Sequence, residues 1–154
     1  LEEYVQIETP SKYKWLVTFL KEQKKKNKKT LVWSSFIGNI IALERLLKKE
    51  FDPAVIYGKY SQEERKLALK KFKESVNCFV LITNPQTLGE GISLHKVCND
   101  AVYIDRTYNA GQYLQSVDRI HRLGLSRETI TNIFILLTKT SPGYIIFDWL
   151  LGRS

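Results

Sequence analysis

Nowhere in these 154 residues do eighteen apolar side chains follow one another, so no stretch has the length and character of a membrane-crossing helix. The amino terminus, Leu1-Glu2-Glu3-Tyr4, lacks the basic-then-apolar order of a secretory leader. A soluble, intracellular protein without a membrane partner is expected. There are only two cysteines, Cys78 and Cys98, too few and too far apart for a zinc ribbon or a redox pair, and they read as reduced core or subsurface thiols. The two histidines, His95 and His121, have no partner at ligand spacing, so no metal site is expected. Internal repeats and low-complexity linkers are missing. So is any Gly-x-x-x-x-Gly-Lys-Ser/Thr segment: Gly58-Lys59 is followed by a tyrosine and has no upstream glycine. No strand-like run ends in an Asp-Glu pair. This sequence therefore encodes neither a phosphate cradle nor a magnesium-binding strand.

What is present is enough for one sizeable core: 44% hydrophobic and 12% aromatic residues in a chain whose length favours a single domain, 1–154. The formal charge of +8 points to a polyanionic partner, with nucleic acid foremost, because a basic face releases counterions from a phosphate backbone. Part of that excess lies between Lys21 and Lys29, which reads first as an ordinary solvated helix end or loop and second as a contact to DNA. The stripe Lys66, Lys70 and Lys73 reads as a solubilising face.

Apolar runs bounded by turn residues recur at Leu31 to Trp33, Ala54 to Tyr57, Cys78 to Thr83, Ala101 to Ile104 and Ile130 to Leu137. Helical patterns separate them. Ile40, Leu43, Leu46 and Leu47 form one stripe. A second helix opens at Ser61, where Glu64 completes a capping box, and turns Ala68, Leu69 and Phe72 inward. Ahead of the core (30–137), residues 9–29 predict a helix carrying Trp15, Leu16, Phe19 and Leu20, packed outside the sheet. Ser141-Pro142 predicts the start of a C-terminal helix over 141–151. Since the chain closes at Gly152-Arg153-Ser154 directly afterwards, one module of a longer polypeptide is expected. Short apolar strands joined by crossover helices imply an α/β fold with a mainly parallel sheet covered on both faces. Ligands in such folds sit beyond the carboxyl ends of the strands.

Two segments carry chemistry. A helix through Gln115-Ser116-Val117-Asp118-Arg119-Ile120-His121-Arg122 places Gln115, Asp118, Arg119 and Arg122 in one sector and Tyr113, Val117 and Ile120 opposite. Two guanidinium forks a turn apart suit phosphate oxygens. The same spacing also suits an ordinary Asp118–Arg122 surface pair worth roughly 0.3–0.5 kcal/mol. Following the strand that ends at Thr83, Asn84 to Leu94 holds Gly89-Glu90-Gly91, a loop in which backbone amides can approach an anion. A tight turn without a ligand accounts for those glycines equally well. Val102-Tyr103-Ile104-Asp105 mimics a magnesium-binding strand but has no glutamate after it.

In this order, Ile82 to Leu94, Ile104-Asp105, Tyr108-Asn109 and Gln115 to Gly124 closely resemble the second RecA-like lobe of superfamily-two helicases of the Swi/Snf-like kind. The likeness runs from about Pro10 to Leu137. Within it, Gly89-Glu90-Gly91 matches motif V, and Gln115, Asp118, Arg119, Arg122 and Gly124 match motif VI. Leu31 to Phe36 looks like motif IV, while Gly58, Arg65 and Phe72 match the next helix.

The resemblance implies a three-layer RecA-like lobe with Arg119 and Arg122 as arginine fingers, Arg122 being the stronger candidate for the γ-phosphate. Gln115 would hold the nucleotide-facing geometry and Asp118 would orient the guanidiniums. Gly89, Glu90 and Gly91 would couple nucleotide to nucleic acid, with Ser34, Ser35, Lys59 and Thr87 as candidates for phosphate-backbone contact. ATP with Mg²⁺ is the implied cofactor, the metal's ligands being supplied by a first lobe. Duplex DNA and that first lobe are the implied partners, and the isolated domain should be monomeric and inactive. Two positions depart from the family pattern: Pro85 stands where a threonine is common, and Leu125 where glutamine is usual. Two competing readings are a non-catalytic nucleic-acid-binding module that keeps the fold, and a doubly wound enzyme that uses the arginines for a phosphorylated metabolite.

Overall fold

The computed structural model describes residues 10–88, 92–105, 109–121 and 130–137. Gly89, Glu90, Gly91, Arg122, Gly124 and the helix expected at 141–151 lie outside them. The described elements follow the order α1 (Ser11–Lys25), β1 (Thr30–Trp33), α2 (Ile37–Phe51), β2 (Ala54–Ile56), α3 (Gln62–Glu74), β3 (Val80–Thr83), β4 (Asp100–Tyr103), α4 (Ala110–Val117) and β5 (Asn132–Ile135). The strands form one sheet in the order β2-β3-β1-β4-β5, and every pairing is parallel.

Each helix reflects its local sequence. Pro10 cannot donate a backbone hydrogen bond, and its carbonyl accepts from Tyr13 and Lys14 to open α1. The helix buries Tyr13, Leu16, Leu20 and Gln23 along one stripe and stops at Lys25, four residues short of the expected 29, because Asn27 takes a positive φ of 54°. In α2 the core stripe is Ile40, Leu43, Leu47 and Phe51. Leu46, expected inside, is 38% exposed. The helix ends at Asp52 in the left-handed region (φ 40°), and Pro53 begins the turn into β2. At the start of α3 both hydrogen bonds of the Ser61–Glu64 capping box form, a motif whose cap alone contributes about 1 kcal/mol.

Side chains alternate across the sheet, and both faces are covered. Val32, Val80, Ile82 and Val102 meet Leu16 and Leu20 of α1 and Ile40, Leu43 and Leu47 of α2. Leu31, Trp33, Leu81, Ala101 and Tyr103 meet Phe72 of α3, together with Leu88, Leu94, Cys98 and Ile120. Two-sided burial is why β1, β3 and β4 read as continuous apolar runs. Edge strand β5 is half-buried throughout, with Phe134 held in an aromatic cluster with Trp15 and Phe19 of α1 at 5.9 and 4.8 Å.

Both cysteines are free and buried in the second of these clusters. Burial pushes the Cys98 thiol up to about 12 from an ordinary 9.0, because a thiolate there would be desolvated. A raised acid pKa adds stability below the unfolded value and loses it above. Folding should therefore weaken as pH climbs past 9.0. Neither thiol should react with a disulfide reagent at pH 8 in the native protein, and both should react in denaturant. Rapid native labelling would contradict this burial.

Candidate functional site

The connections from β1 and β4 leave the sheet on opposite faces: α2 packs on one side, while Tyr113 and Ile120 around α4 pack on the other. These two strands are paired neighbours, Trp33 beside Tyr103. The crevice beyond their carboxyl ends is thus a topological switch point, the place where open parallel sheets hold ligands.

A carboxylate organises this crevice. Asp105, two residues past β4, accepts from Ser34 Oγ at 2.5 Å, from the Ser35 backbone N–H at 2.6 Å and from Asn39 Nδ2 at 2.9 Å. Ser34 Oγ in turn accepts from the Phe36 N–H at 3.3 Å. Asn39 Oδ1 takes the Tyr13 hydroxyl at 3.1 Å, and Lys12 Nζ donates to the Ile104 carbonyl at 2.9 Å. One side chain thereby ties β4, the β1 loop and the first turn of α2 together. Burial lowers the Lys12 pKa, and the Asp105 charge partly opposes that shift. Burial raises the Tyr13 pKa, and there the same charge adds to it.

The neighbouring loops at this edge are held by a second cationic side chain. Arg65 of α3 donates Nε to the Tyr60 carbonyl at 3.1 Å and Nη1 to the Thr87 carbonyl at 3.3 Å, linking the loops after β2 and β3. The Thr87 N–H is taken by Asn84 Oδ1 at 2.8 Å, and Leu88 is sunk into the core. The chain is therefore anchored immediately before Gly89.

Helix α4 starts from the same edge, capped by Asn109, whose side chain accepts from the Gln112 N–H at 3.1 Å. Ser116 Oγ lies 2.5 Å from the Tyr103 hydroxyl and docks the helix on β4. The helix ends at Val117, with Asp118 as its C-cap, and then tightens: Arg119 and Ile120 donate to carbonyls three residues back. The Arg119 carbonyl accepts from the Leu94 N–H at 2.7 Å, and Arg119 Nη1 donates to the Ile92 carbonyl at 3.3 Å. Arg119 is thus latched by both main chain and side chain to the segment that follows the Gly89–Gly91 loop.

The expected residues are distributed unevenly. Lys59, Thr87, Ser34 and Ser35 follow the carboxyl ends of β2, β3 and β1 and so share one edge. Two of them are buried. Ser34 is fully buried with its hydroxyl committed to Asp105, and Thr87 is buried with both backbone groups engaged. Lys59 is exposed and Ser35 half-exposed. Gln115 and Asp118 are exposed. The continuous helix expected through Arg122 gives way at Val117, because Ile120 turns into the core and the Arg119 carbonyl is drawn to Leu94. Arg119 is accordingly half-buried, with its guanidinium on the Ile92 carbonyl. Sequence reading missed the role of Asp105. The available signal was an apolar strand running into a lone carboxylate, which must find donors when half-buried.

The helicase conserved C-terminal domain family model matches residues 11–124. The chain belongs to that family. Within it, its relatives are of the Swi2/Snf2 kind. It is 31% identical over 118 residues to the ATP-dependent helicase FUN30 of Saccharomyces cerevisiae, covering 75% of this chain and 10% of that protein. It is 32% identical over 127 residues to the DNA repair protein RAD5 of Yarrowia lipolytica, covering 82% and 12%. The chain therefore spans about a tenth of the length of these curated relatives. The crystal structure of the C-terminal part of the Fun30 ATPase domain superposes with a TM-score of 0.80 at 27% identity, over 91% of this chain and 45% of that one. The Sulfolobus solfataricus SWI2/SNF2 ATPase core in complex with dsDNA shares the fold, with a TM-score of 0.73 at 21% identity, over 92% and 29%. The five-stranded parallel sheet is thus that of a RecA-like lobe.

Proposed function

We propose that this domain is the second motor lobe of an ATP-dependent translocase acting on duplex DNA, within an intracellular, DNA-associated protein. The carrying observation is the Arg119 latch: the segment matching motif VI is bonded to the residue that follows the motif V loop, so a change at one reaches the other. ATP is the substrate, bound between this lobe and a first lobe that supplies the phosphate cradle and the Mg²⁺ ligands. Arg122 is the finger for the γ-phosphate and Arg119 the second guanidinium, its geometry fixed by Ile92 and Leu94. Gln115, exposed on α4, holds the nucleotide-facing geometry, and Asp118 orients the guanidiniums. Gly89, Glu90 and Gly91 pass nucleotide state to the DNA track. On that track Lys59 and Ser35 contact phosphates without reading sequence, while Ser34 and Thr87 shape the loops that carry them.

Opening and closing of the two lobes over each ATP would shift the grip of this edge along one backbone. In the protein that joins this chain to a first lobe, ATP hydrolysis should be stimulated by duplex DNA and coupled to displacement of a third strand from a triplex. The domain by itself should hydrolyse none. Robust hydrolysis by the domain alone, or a rate indifferent to duplex, would overturn the assignment.

A further inference from the structure

Helices in a parallel α/β layer run against the strands, so their carboxyl ends gather where the strands begin. Here the last turns of α1, α2 and α3 carry Lys24 and Lys25, Lys48 and Lys49, and Lys71 and Lys73. Contacts made by three lysines show that these ends converge. Lys24 Nζ donates to the Glu50 carbonyl and stands over the Phe51 and Phe79 rings. Lys71 pairs with Asp52 at 2.9 Å. Lys29 donates to the carbonyls of Phe72 and Ser75.

Those contacts hold the pole together and leave other charges outward. The side chains of Lys26, Lys28, Lys48, Lys49 and Lys73 are exposed and make no hydrogen bond or ion pair among the described residues, although the Lys26 charge also acts on Glu22. Helix ends favour a cation or two through the macrodipole, which covers the C-cap Lys26, but Lys28 lies in the turn after the helix. Beside Lys28 at this pole opens a groove of about 160 Å³, lined by polar groups of Asn27, Lys28, Lys29, Asn99, Asp100 and Asn132 together with apolar side chains. This pole is opposite the Asp105 crevice.

We propose that it is a second nucleic-acid surface, holding the phosphate backbone of a duplex segment other than the one at the carboxyl edge. The exposed cations are all lysines, point charges on flexible stems that suit unspecific phosphate contact. Bidentate recognition of carboxylates would favour arginine. They also span both faces of the sheet, a width of roughly 20 Å at about 10 Å per packed layer, which fits an extended polyanion better than a small ligand.

The test replaces Lys26, Lys28, Lys48, Lys49 and Lys73 with glutamine in the full protein and follows anisotropy of a labelled duplex of unrelated sequence across a salt series. Each lost phosphate contact lowers the slope of log K against log salt by about 0.9. The variant should lose about three such units and bind at least about tenfold more weakly at low salt, while the matching five-arginine variant keeps both. An unchanged slope would show that the lysines only solubilise the helix ends. Loss of binding to a polyglutamate peptide with duplex binding intact would assign the pole to an acidic protein segment. Either result overturns the proposal. Anisotropy reads binding alone, so the outcome stands whether or not the protein hydrolyses ATP.

Discussion

Replacing Arg122 with alanine in the protein that carries this domain is expected to lower duplex-stimulated ATP turnover by about 10³–10⁵-fold, the contribution of a finger in other NTPases, while nucleotide affinity changes far less. A finger acts on charge that develops as the phosphoryl group transfers, so its loss falls on kcat rather than on ground-state binding. Lysine should not restore activity, because a point ammonium cannot reproduce two parallel N–H bonds. Arg119→Ala should behave differently. It too loses turnover, but it also frees the Ile92 carbonyl, so the response of the ATPase to duplex should weaken along with its maximal rate. Steady-state kinetics with and without duplex separate the two patterns. Near wild-type turnover in Arg122→Ala would remove that residue from the site.

Removing the carboxylate at the switch point should be the most damaging single change to this fold's functional edge. Asp105→Ala leaves Ser34 Oγ, the Ser35 N–H and Asn39 Nδ2 without their shared acceptor. Hydrogen bonds to a charged group are worth more than neutral ones, and stranded donors cost their desolvation. The expected loss is about 2–4 kcal/mol in unfolding free energy, read from urea denaturation. Asp105→Asn keeps the shape but turns one acceptor into a donor facing donors, so it should recover only part of the stability. If the variant remains folded at low temperature, weaker duplex binding should accompany the lost stability, because the β1 loop that presents Ser35 is no longer tied to β4. A stability change within about 0.5 kcal/mol, the range of an ordinary surface substitution, would show that the cluster does not organise the edge.

The sequence was most legible where a local rule decides the outcome. All five strand runs form strands, the Ser61–Glu64 box forms as spaced, and the alternation of apolar strands and helices yields a sheet covered on both faces. The helix through Arg122 was less legible. Its periodicity is real, yet it ends at Val117, because the pull of Leu94 on the Arg119 carbonyl comes from a segment 25 residues away in sequence. The phosphate candidates show the same limit. Ser34 and Lys59 look alike in a one-dimensional reading, each a polar residue just past a strand. One proves fully buried and committed to a carboxylate, and the other stands in solvent.

Residue pattern by itself determined the class of fold, the order of its described elements and the family. All of these depend on spacing along the chain, which backbone periodicity and capping chemistry turn directly into local structure. Tertiary structure alone decided the strand order, the partners of Asp105, the latch of Arg119 on Ile92 and the gathering of lysines at one pole. Those depend on which distant segments meet, and that is set by covering both faces of one sheet at once.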